Sequence, residues 1–276
     1  MNDDNDNDND AEAASSFSLT SEESQQYETD GFFLRESVFD ISEINQLREV
    51  TELAVLQAKE LSEQGRTYFL DGKRFVDTDY VTVQFEHSPG SETVRVIEPA
   101  HQLQPGLESL VDDQRIVGAM QGLLGSDNIS LWTAKLNLKR AREGSGFGWH
   151  QDSPYWVHDS NHVDLLPNVM LAFDDATVNN GCFRVIRGSH TRGCLPGSND
   201  GTQLAGFFTD PDCFDESQQV PMIVPAGSLI FFSPHVIHGS FPNHSDQPRR
   251  AIVLTYQPPN HPMLKSGKIR NIPIHH

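Results

Sequence analysis

The hydrophobic positions in the first half of the chain recur with a helical period in two segments. The first, residues 40–65, begins with Asp40 and Glu43 at the spacing of a capping box and ends at Gly65. Its predicted apolar stripe consists of Ile44, Leu47, Leu53, Ala54, Ala58 and Leu61. The second segment, residues 107–125, predicts another helix with the same period. Its predicted inward positions and its stop are Leu110, Val117, Met120, Leu124 and Gly125. We interpret both helices as structural.

From residue 128 onward the pattern changes to short β-rich runs. Turn-forming sequences such as Asn179-Asn180-Gly181 separate them. The runs read NISLWTAKLNLKR, NVMLAFDDA, CFRVIRGSH, QVPMIVPAG, SLIFFSPHVIHGS and RRAIVLTYQ. Nearer the N terminus, YETDGFFLRESVF reads as a strand entering the domain. Within residues 67–106, YVTVQFEH and VRVIEP read as strands and the remainder as loop. The fold class predicted is mainly β: a jelly roll of two packed sheets, with the N-terminal helices buttressing one of them.

Composition adds a charge asymmetry to this picture. The 276 residues carry a formal charge of −19, and residues 1–30 hold ten acidic residues and no Lys or Arg. Residues 1–26 are therefore predicted to be a disordered acidic tail, and residues 27–276 a single domain. The rest of the chain is acidic as well, which disfavours partners such as nucleic acid and anionic membranes. No secretory signal or membrane-spanning run is evident.

The three cysteines, Cys182, Cys194 and Cys213, are odd in number and form no CxxC motif. This pattern disfavours a disulfide framework and indicates a reducing cytoplasm. We expect a monomer or a homodimer that acts on a small molecule.

A candidate metal site begins in GFGWHQDSPYW, residues 146–156. On a strand, His150 and Asp152 share a face at roughly 7 Å between their Cα atoms. Two histidines and one carboxylate on one side of a metal form the facial triad of non-haem Fe(II) oxygenases. His238, at the end of an apolar strand, is the best third ligand. His235 competes with it, but on a strand it would point to the opposite face.

A candidate anion site follows the distal histidine. The turn-rich stretch GSFPNHSDQP separates His238 from Arg249, so the chain should reverse and bring Arg249 onto the adjacent strand. A guanidinium inside a barrel is costly unless it meets an anion, and a dicarboxylate cosubstrate would supply one. Ser240 could donate its hydroxyl to the same carboxylate. The alternative is that Arg249 or Arg250 is only a surface charge.

The combination HQD…HGS…R at these spacings resembles the phytanoyl-CoA dioxygenase family of Fe(II)/2-oxoglutarate oxygenases. The flanking stretches NNGCFRVIRGSH, PAGSLIFFSPHVIHGS and YETDGFFLRESVF also resemble that family, over about residues 27–258. The resemblance implies a double-stranded β-helix, the cupin-like form of the jelly roll. It also implies iron, 2-oxoglutarate and O2, with succinate and CO2 released. The implied metal ligands are His150, Asp152 and His238, and Arg249 and Ser240 would hold the distal carboxylate of 2-oxoglutarate.

Ectoine hydroxylases are similar to this sequence around the first motif. That likeness places Asn137 and Phe147 at the cosubstrate site, and Gln151 and Met170 are further candidates to line it. Alternation along WTAKLNLKR agrees, because Thr133, Lys135 and Asn137 share one strand face. The opposite face, formed by Trp132, Ala134, Leu136 and Leu138, is apolar and should pack beneath the helices.

The sequence departs from ectoine hydroxylases where they contact substrate. Thr133 and Lys135 stand where Gln and Arg would be expected, and only an aromatic residue, Trp156, is retained. A lysine in the chamber would be costly without an anionic partner. Thr133, Lys135 and Trp156 are therefore the predicted substrate contacts, for a small anion with a compact apolar or cyclic body. One alternative is that Lys135 pairs with a nearby acid such as Asp174 or Asp175 and does not meet the substrate. Another is that Trp156 only packs in the core.

The leading functional hypothesis is thus a hydroxylase that acts on an unactivated C–H bond of a small molecule. A non-catalytic jelly-roll module that binds a metal or a small molecule is the alternative. A zinc hydrolase could use the same ligands, but no general-base carboxylate is obvious beside them.

Overall fold

The computed structural model describes residues 17–273. Its helices are α1 Ser21–Asp30, α2 Ile41–Ser62, α3 Pro105–Ser109, α4 Gln114–Leu124 and α5 Ser153–Trp156. Its first strands are β1 Phe32–Arg35, β2 Arg66–Leu70, β3 Lys73–Asp77, β4 Thr82–Phe85, β5 Val94–Glu98, β6 Ser130–Lys139 and β7 Phe147–His150. The remaining strands are β8 Asn168–Ala172, β9 Arg184–Ile186, β10 Gln219–Pro221, β11 Leu229–Phe232, β12 His238–Ser240 and β13 Arg249–Gln257.

The strands form two antiparallel sheets. The larger has nine strands in the order β1-β11-β8-β13-β6-β5-β4-β3-β2, and the smaller has four in the order β10-β9-β12-β7. The strands of both sheets that follow residue 128 cover all six predicted β-rich runs. The predicted jelly roll is therefore confirmed, although β2 to β5 extend one sheet well beyond it.

One face of the large sheet is covered by helices, as predicted. Apolar side chains of α2 and α4 meet Ala134, Leu136 and Leu138 of β6 in one continuous core. The capping box of α2 is present, with the Asp40 side chain accepting N–H bonds from Ser42 and Glu43. Leu53, predicted to face inward, is instead 52% exposed. Trp132 also differs from the prediction, since it packs with Trp156 and Leu166 in a separate small cluster.

The second predicted helix is broken in two. Residues 105–109 form α3, a 3-10 turn follows, and α4 begins only after Asp113. The Asp113 side chain accepts the N–H of Arg115, so it caps a new helix start in the middle of the predicted one. Gly125 ends α4 in a left-handed conformation, as predicted.

Residues 66–77, predicted as loop, form the β2–β3 hairpin. Its turn is Asp71-Gly72, with φ of 49° and 76°. An Asp-Gly pair between two strands is a strong hairpin signal because both residues tolerate positive φ. The flanking runs, RTYFL and KRFVD, are short and contain charged residues, so they were not recognised as strands. The hairpin lies at the end of the large sheet.

The predicted acidic tail ends earlier than residue 26. Residues 21–26 belong to α1, which begins with a capping box between Thr20 and Glu23. The Glu23 carboxylate also pairs with Arg35 at 2.7 Å, which ties the helix to β1. The remainder of the tail, residues 1–16, lies outside the described residues. Within residues 17–273, no helix is long and apolar enough to cross a membrane.

Candidate metal centre and active site

A cavity of about 570 Å³, counting its open mouth, lies between the two sheets. The small sheet contributes residues of β7 and β12 to its wall, and the large sheet contributes residues of β6, β8, β11 and β13. His150, Asp152 and His238 all line it. The residues predicted to form the metal site are therefore brought together by strands that are distant in sequence.

The three candidate ligands converge because β7 and β12 are paired. His150 lies directly opposite His238 in the ladder, and their ring centroids are 4.1 Å apart. Asp152 follows β7 at the start of α5, and its Oδ2 lies 3.8 Å from Nε2 of His238. One ligand atom from each of the three residues lies within 4.8 Å of the others. Among the described residues, this is the one group of three or more such side chains close enough to hold an ion.

Both imidazoles are oriented by their own backbone. Nδ1 of His150 lies 2.7 Å from the carbonyl oxygen of Gly148, and Nδ1 of His238 lies 3.0 Å from that of Val236. Since a carbonyl only accepts, each Nδ1 carries the proton and each Nε2 keeps a free lone pair. Burial and the neighbouring His238 ring lower the pKa of His150 to about 3, and burial lowers the pKa of His238. The neutral imidazoles are the form that binds a metal.

A buried polar chain holds the carboxylate of Asp152. Asn168 Nδ2 donates to Asp152 Oδ2 at 3.0 Å, and Thr255 Oγ1 donates to Asn168 Oδ1 at 2.6 Å. Asn168 and Thr255 lie opposite each other on β8 and β13. Sequence reasoning missed both residues. The available signal was a polar residue at the first position of a buried strand, in NVMLAFDDA.

His235 does not face the cavity. Its Nδ1 lies 2.8 Å from Ser153 Oγ, and its Nε2 lies 2.7 Å from Asp164 Oδ1. Both ring nitrogens are thus engaged in contacts that join the loop before β12 to the segments around α5. The geometry supports the choice of His238 over His235.

Arg249 is buried in the cavity wall without a carboxylate partner among the described residues. Its guanidinium donates two bonds to the carbonyl oxygen of Gly181, at 2.9 and 3.2 Å. Burial lowers the pKa of Arg249 to about 10. Arg250 differs, because it pairs with Asp174 at 2.8 Å and Glu52 at 3.0 Å on the helix-covered side. Arg249 is therefore the guanidinium available to an anion in the cavity.

Most of the other predicted site residues also line this cavity. They are Thr133, Lys135, Asn137, Phe147, Trp156, Met170 and Ser240. Trp156 also packs edge-to-face on Trp132 at 6.3 Å, so it combines a wall with core packing. Oδ1 of Asn137 is buried without a hydrogen-bond partner among the described residues. A buried polar atom without a partner at a cavity wall is expected where a residue binds a ligand.

Gln151 was predicted at the cosubstrate site, and the structure turns it away. Its amide nitrogen donates to the carbonyls of Gly193 and His235, and its Oε1 accepts the N–H of Leu195 at 2.8 Å. Strand alternation explains this, because Gln151 stands between two residues that face the cavity. Through these hydrogen bonds, Gln151 connects the loop after β9 to the start of α5.

The acid that lies near Lys135 is neither Asp174 nor Asp175, the two residues considered in the alternative. Asp174 pairs with Arg250, as described, while Lys135 Nζ lies 3.8 Å from Glu98 Oε2. Thr133 donates to the other oxygen of Glu98 at 2.9 Å. Burial lowers the pKa of Lys135, but the carboxylates of Glu98 and Asp152 outweigh it and raise the pKa above its usual value. Glu98 was missed because it lies at the end of β5, in a segment read only as VRVIEP.

The donor set fits iron. Two imidazole nitrogens and one carboxylate oxygen on one side of a site, with the other side open to a cavity, is the arrangement of non-haem Fe(II) oxygenases. The unpaired guanidinium of Arg249 provides an anchor for a second, anionic component. A jelly roll with such a site is typical of iron oxygenases that use an anionic cosubstrate.

The chain belongs to the phytanoyl-CoA dioxygenase (PhyH) family, whose model matches residues 27–251. It is 29% identical to L-proline trans-4-hydroxylase of Streptomyces griseoviridis over 203 residues, covering 67% of this chain and 72% of the relative. It is 28% identical to ectoine dioxygenase of Bordetella bronchiseptica over 255 residues, covering 87% of this chain and 75% of the relative. The resemblance to this family is confirmed. The chain is an Fe(II)- and 2-oxoglutarate-dependent dioxygenase.

Solved structures agree in fold. EctD from S. alaskensis with 2-oxoglutarate and 5-hydroxyectoine has a TM-score of 0.65 and 22% identity, covering 87% of this chain and 76% of that one. The carbocyclase SnoK from nogalamycin biosynthesis has a TM-score of 0.67 and 19% identity, covering 92% and 97%. At these identities the likeness establishes the cupin-like jelly roll that the sequence predicted.

Proposed function

We propose that this dioxygenase hydroxylates an unactivated C–H bond of a small molecule and converts 2-oxoglutarate to succinate and CO2. The observation that carries the proposal is the cluster of His150, Asp152 and His238, whose ligand atoms lie within 4.8 Å of one another at the wall of a cavity. Relatives named for ectoine and L-proline support a small-molecule substrate. When bound, iron with 2-oxoglutarate and O2 supplies the oxidising power for the C–H bond.

The ligand roles go to Nε2 of His150, Nε2 of His238 and one oxygen of Asp152. The backbone carbonyls on the two Nδ1 atoms fix the tautomers, and Asn168 fixes the carboxylate. Such orienting contacts reduce the cost of ordering the ligands when the metal arrives. With iron bound, the Asp152 carboxylate would occupy a coordination position that a halide would otherwise need, so we propose hydroxylation and not halogenation.

The distal carboxylate of 2-oxoglutarate is assigned to Arg249 and Ser240. Arg249 is buried and its bonds go to a neutral carbonyl, so an incoming carboxylate would neutralise it. Ser240 and Phe147 face each other in the β12–β7 ladder, next to the metal residues. Asn137 adds an unpartnered amide atom to the same cavity. Together these residues would hold the cosubstrate in one orientation against the iron.

The deciding experiment measures succinate release from 2-oxoglutarate with Fe(II) and ascorbate under air. We expect slow succinate formation even without a substrate, and no formation with Zn(II) in place of iron. Failure to release succinate with iron, together with no measurable binding of 2-oxoglutarate, would contradict the proposed reaction. Hydrolytic activity that requires Zn(II) would favour the hydrolase alternative.

We also propose that residues 27–276 form one dioxygenase domain, in keeping with the family match over most of that range. The proposed setting is the cytoplasm, where the exposed thiol of Cys194 would remain reduced. The proposed assembly is a monomer or a homodimer that needs neither nucleic acid nor a membrane.

A further inference from the structure

A second cavity, of about 860 Å³ counting its mouth, adjoins the metal site. Lys135, Phe147 and His150 line both cavities, so they mark the boundary between them. The first cavity lies on the Arg249 side of these residues. The second lies on the side of the β2–β3 hairpin, and strands β3, β4 and β5 form its floor. It is the space from which a molecule could reach the iron beside His150 without displacing an anion from Arg249.

Three cations line this outer cavity: Lys73 on β3, Arg95 on β5 and Lys135 on β6. Of these, only Lys135 has a carboxylate within ion-pair distance among the described residues, at 3.8 Å from Glu98. Arg95 is buried, and its hydrogen bonds go to uncharged groups: Ser145 Oγ at 2.9 Å, Gly146 O at 2.8 Å and Gln84 Oε1 at 3.4 Å. Lys73 contacts the ring of Phe208, with Nζ 5.6 Å from its centroid.

The nearby acids are already engaged. Both oxygens of Glu86 accept the N–H of Ser145 at 3.2 Å, and Glu86 acts on Arg95 only from beyond ion-pair distance. Asp71 accepts N–H bonds from the loop at Gln203 and Leu204. Burial and the neighbouring Arg95 charge lower the pKa of Lys73. The residues that line the cavity thus include three cations and no carboxylate, in a chain whose net charge is −19.

The rest of the outer cavity is largely aromatic. Phe75, Phe85, Phe147, Tyr155 and Phe208 line it. Arg95 stacks over the Phe147 ring at 3.6 Å, so one residue presents both charge and an apolar platform. Gly148 allows Phe208 to approach closely, because an added Cβ would lie 2.8 Å from that ring. A compact apolar body would bury well against these rings.

We propose that this outer cavity is the substrate site and that Lys73 and Arg95 bind an oxyanion of the substrate, a carboxylate or a phosphonate. The compact apolar part of the substrate would lie against the aromatic wall, which adjoins the metal residue His150, and its C–H bond would face that residue. Lys135, already paired with Glu98, borders the passage and acts as a secondary contact. The assignment of the reacting bond rests on the proposed function, whereas the oxyanion site stands on the cavity and its charges.

Arg95 could instead be purely structural, since it holds Ser145 and Gly146 at the start of β7. Two variants separate these roles. Lys73→Gln removes a charge that makes no side-chain hydrogen bond with any residue from 17 to 273. Arg95→Lys keeps the charge and gives up the forked hydrogen bonding, whereas Arg95→Gln loses the charge. An oxyanion site predicts that Arg95→Lys retains most of the binding that Arg95→Gln loses.

The test is isothermal titration calorimetry on the full chain loaded with Fe(II) and 2-oxoglutarate, without O2. The probes are benzoate, cyclohexanecarboxylate and phenylphosphonate, each against an uncharged counterpart such as benzamide or cyclohexanecarboxamide. We expect at least one anion to bind at least about tenfold more tightly than its neutral counterpart, as for a charge-assisted hydrogen bond. Lys73→Gln and Arg95→Gln should each remove most of that preference, and Lys268→Gln, an exposed cation outside both cavities, should not.

Equal binding of anionic and neutral probes, or no binding of any anion, would overturn the proposal. So would variants of Lys73 and Arg95 that lower the affinity for 2-oxoglutarate and leave probe binding unchanged, because these cations would then serve the cosubstrate. Failure of the wild-type protein to bind 2-oxoglutarate would be a different result. It would refute the proposed function, while anion binding to the metal-free protein would still decide the oxyanion site.

Discussion

The two cavities that meet at His150 are built in different ways. The inner cavity lies between paired strands of the two sheets, and four of its polar groups have fixed partners. Backbone carbonyls bind both imidazoles, Asn168 binds Asp152, and the Gly181 carbonyl binds Arg249. The outer cavity lies over the β2–β3 hairpin and is covered by a loop that includes Leu204 and Phe208. Its cations Lys73 and Arg95 lack carboxylate partners among residues 17–273.

We therefore associate the inner cavity with the reaction and the outer cavity with substrate selectivity. The inner residues come mainly from paired strands of the two sheets, so their geometry follows from the fold. Part of the outer cavity comes from the β2–β3 hairpin and from the loop of Leu204 and Phe208, and surface loops tolerate change at little cost in stability. The same reaction centre can therefore be combined with a different substrate site. If the two cavities are independent, a change in one should leave the other unaffected.

The largest expected effect follows loss of an inner metal ligand. His150→Ala or His238→Ala should abolish binding of one equivalent of iron and reduce turnover to background, because two remaining donors hold the metal poorly. Metal analysis after desalting and succinate release are the measurements. His235→Ala is the matched control, since His235 bonds to Ser153 and Asp164 outside the cavity. If His235→Ala loses iron while His238→Ala retains it, the assignment of the distal ligand is wrong.

The next effect concerns the inner anion anchor. Arg249→Met should weaken 2-oxoglutarate binding at least tenfold, since losing the charged partner of a buried carboxylate costs roughly 2–5 kcal/mol. Calorimetry with 2-oxoglutarate measures the change. Arg250→Met should lower stability through its lost bonds to Asp174 and Glu52, and should leave 2-oxoglutarate affinity unchanged. The opposite pattern would move the anchor to Arg250.

A smaller effect is expected from the polar chain behind Asp152. Asn168→Ala should reduce iron affinity by about 10- to 100-fold, the usual cost of losing an orienting partner of a ligand. Thr255→Val, one bond further away, should cost less. Iron titration against a competing chelator gives both values. If Asn168→Ala bound iron as tightly as the wild type, the hydrogen bond from Asn168 would not be needed to orient Asp152.

The smallest expected effect tests the cover of the outer cavity. Asp71→Gly removes the acceptor for the Gln203 and Leu204 amides, which lie 2.9 and 2.7 Å from its oxygens, while glycine keeps the left-handed turn. Amide exchange in residues 201–208 should accelerate about fivefold, for roughly 1 kcal/mol of lost hydrogen bonding. Asp200→Ala, which breaks only contacts within the loop, is the control. Iron and 2-oxoglutarate binding should not change in either variant.

The inner site was largely predictable from the sequence. Period-2 alternation placed Thr133, Lys135 and Asn137 on one face, and their common cavity confirms it. The errors have two kinds of cause. Glu98 was missed because it is far from Lys135 in sequence. Gln151 was misplaced although strand alternation, a local signal, already turns it away from the cavity. The Asp71-Gly72 turn was a local signal that was overlooked.

By itself, the sequence determined the periodicities, the capping of α2, the turns between strands, and the spacing of His150, Asp152, His238 and Arg249. These are local properties, set by backbone geometry and by the chemistry of single side chains. Only the tertiary structure decided which charges remain unpaired. Glu98, Asp174 and Glu52 each neutralise a cation, and Arg249, Arg95 and Lys73 are left without a carboxylate among the described residues. Charge pairing depends on distances across the sheets, so the sequence alone could not show that the outer cavity is positive.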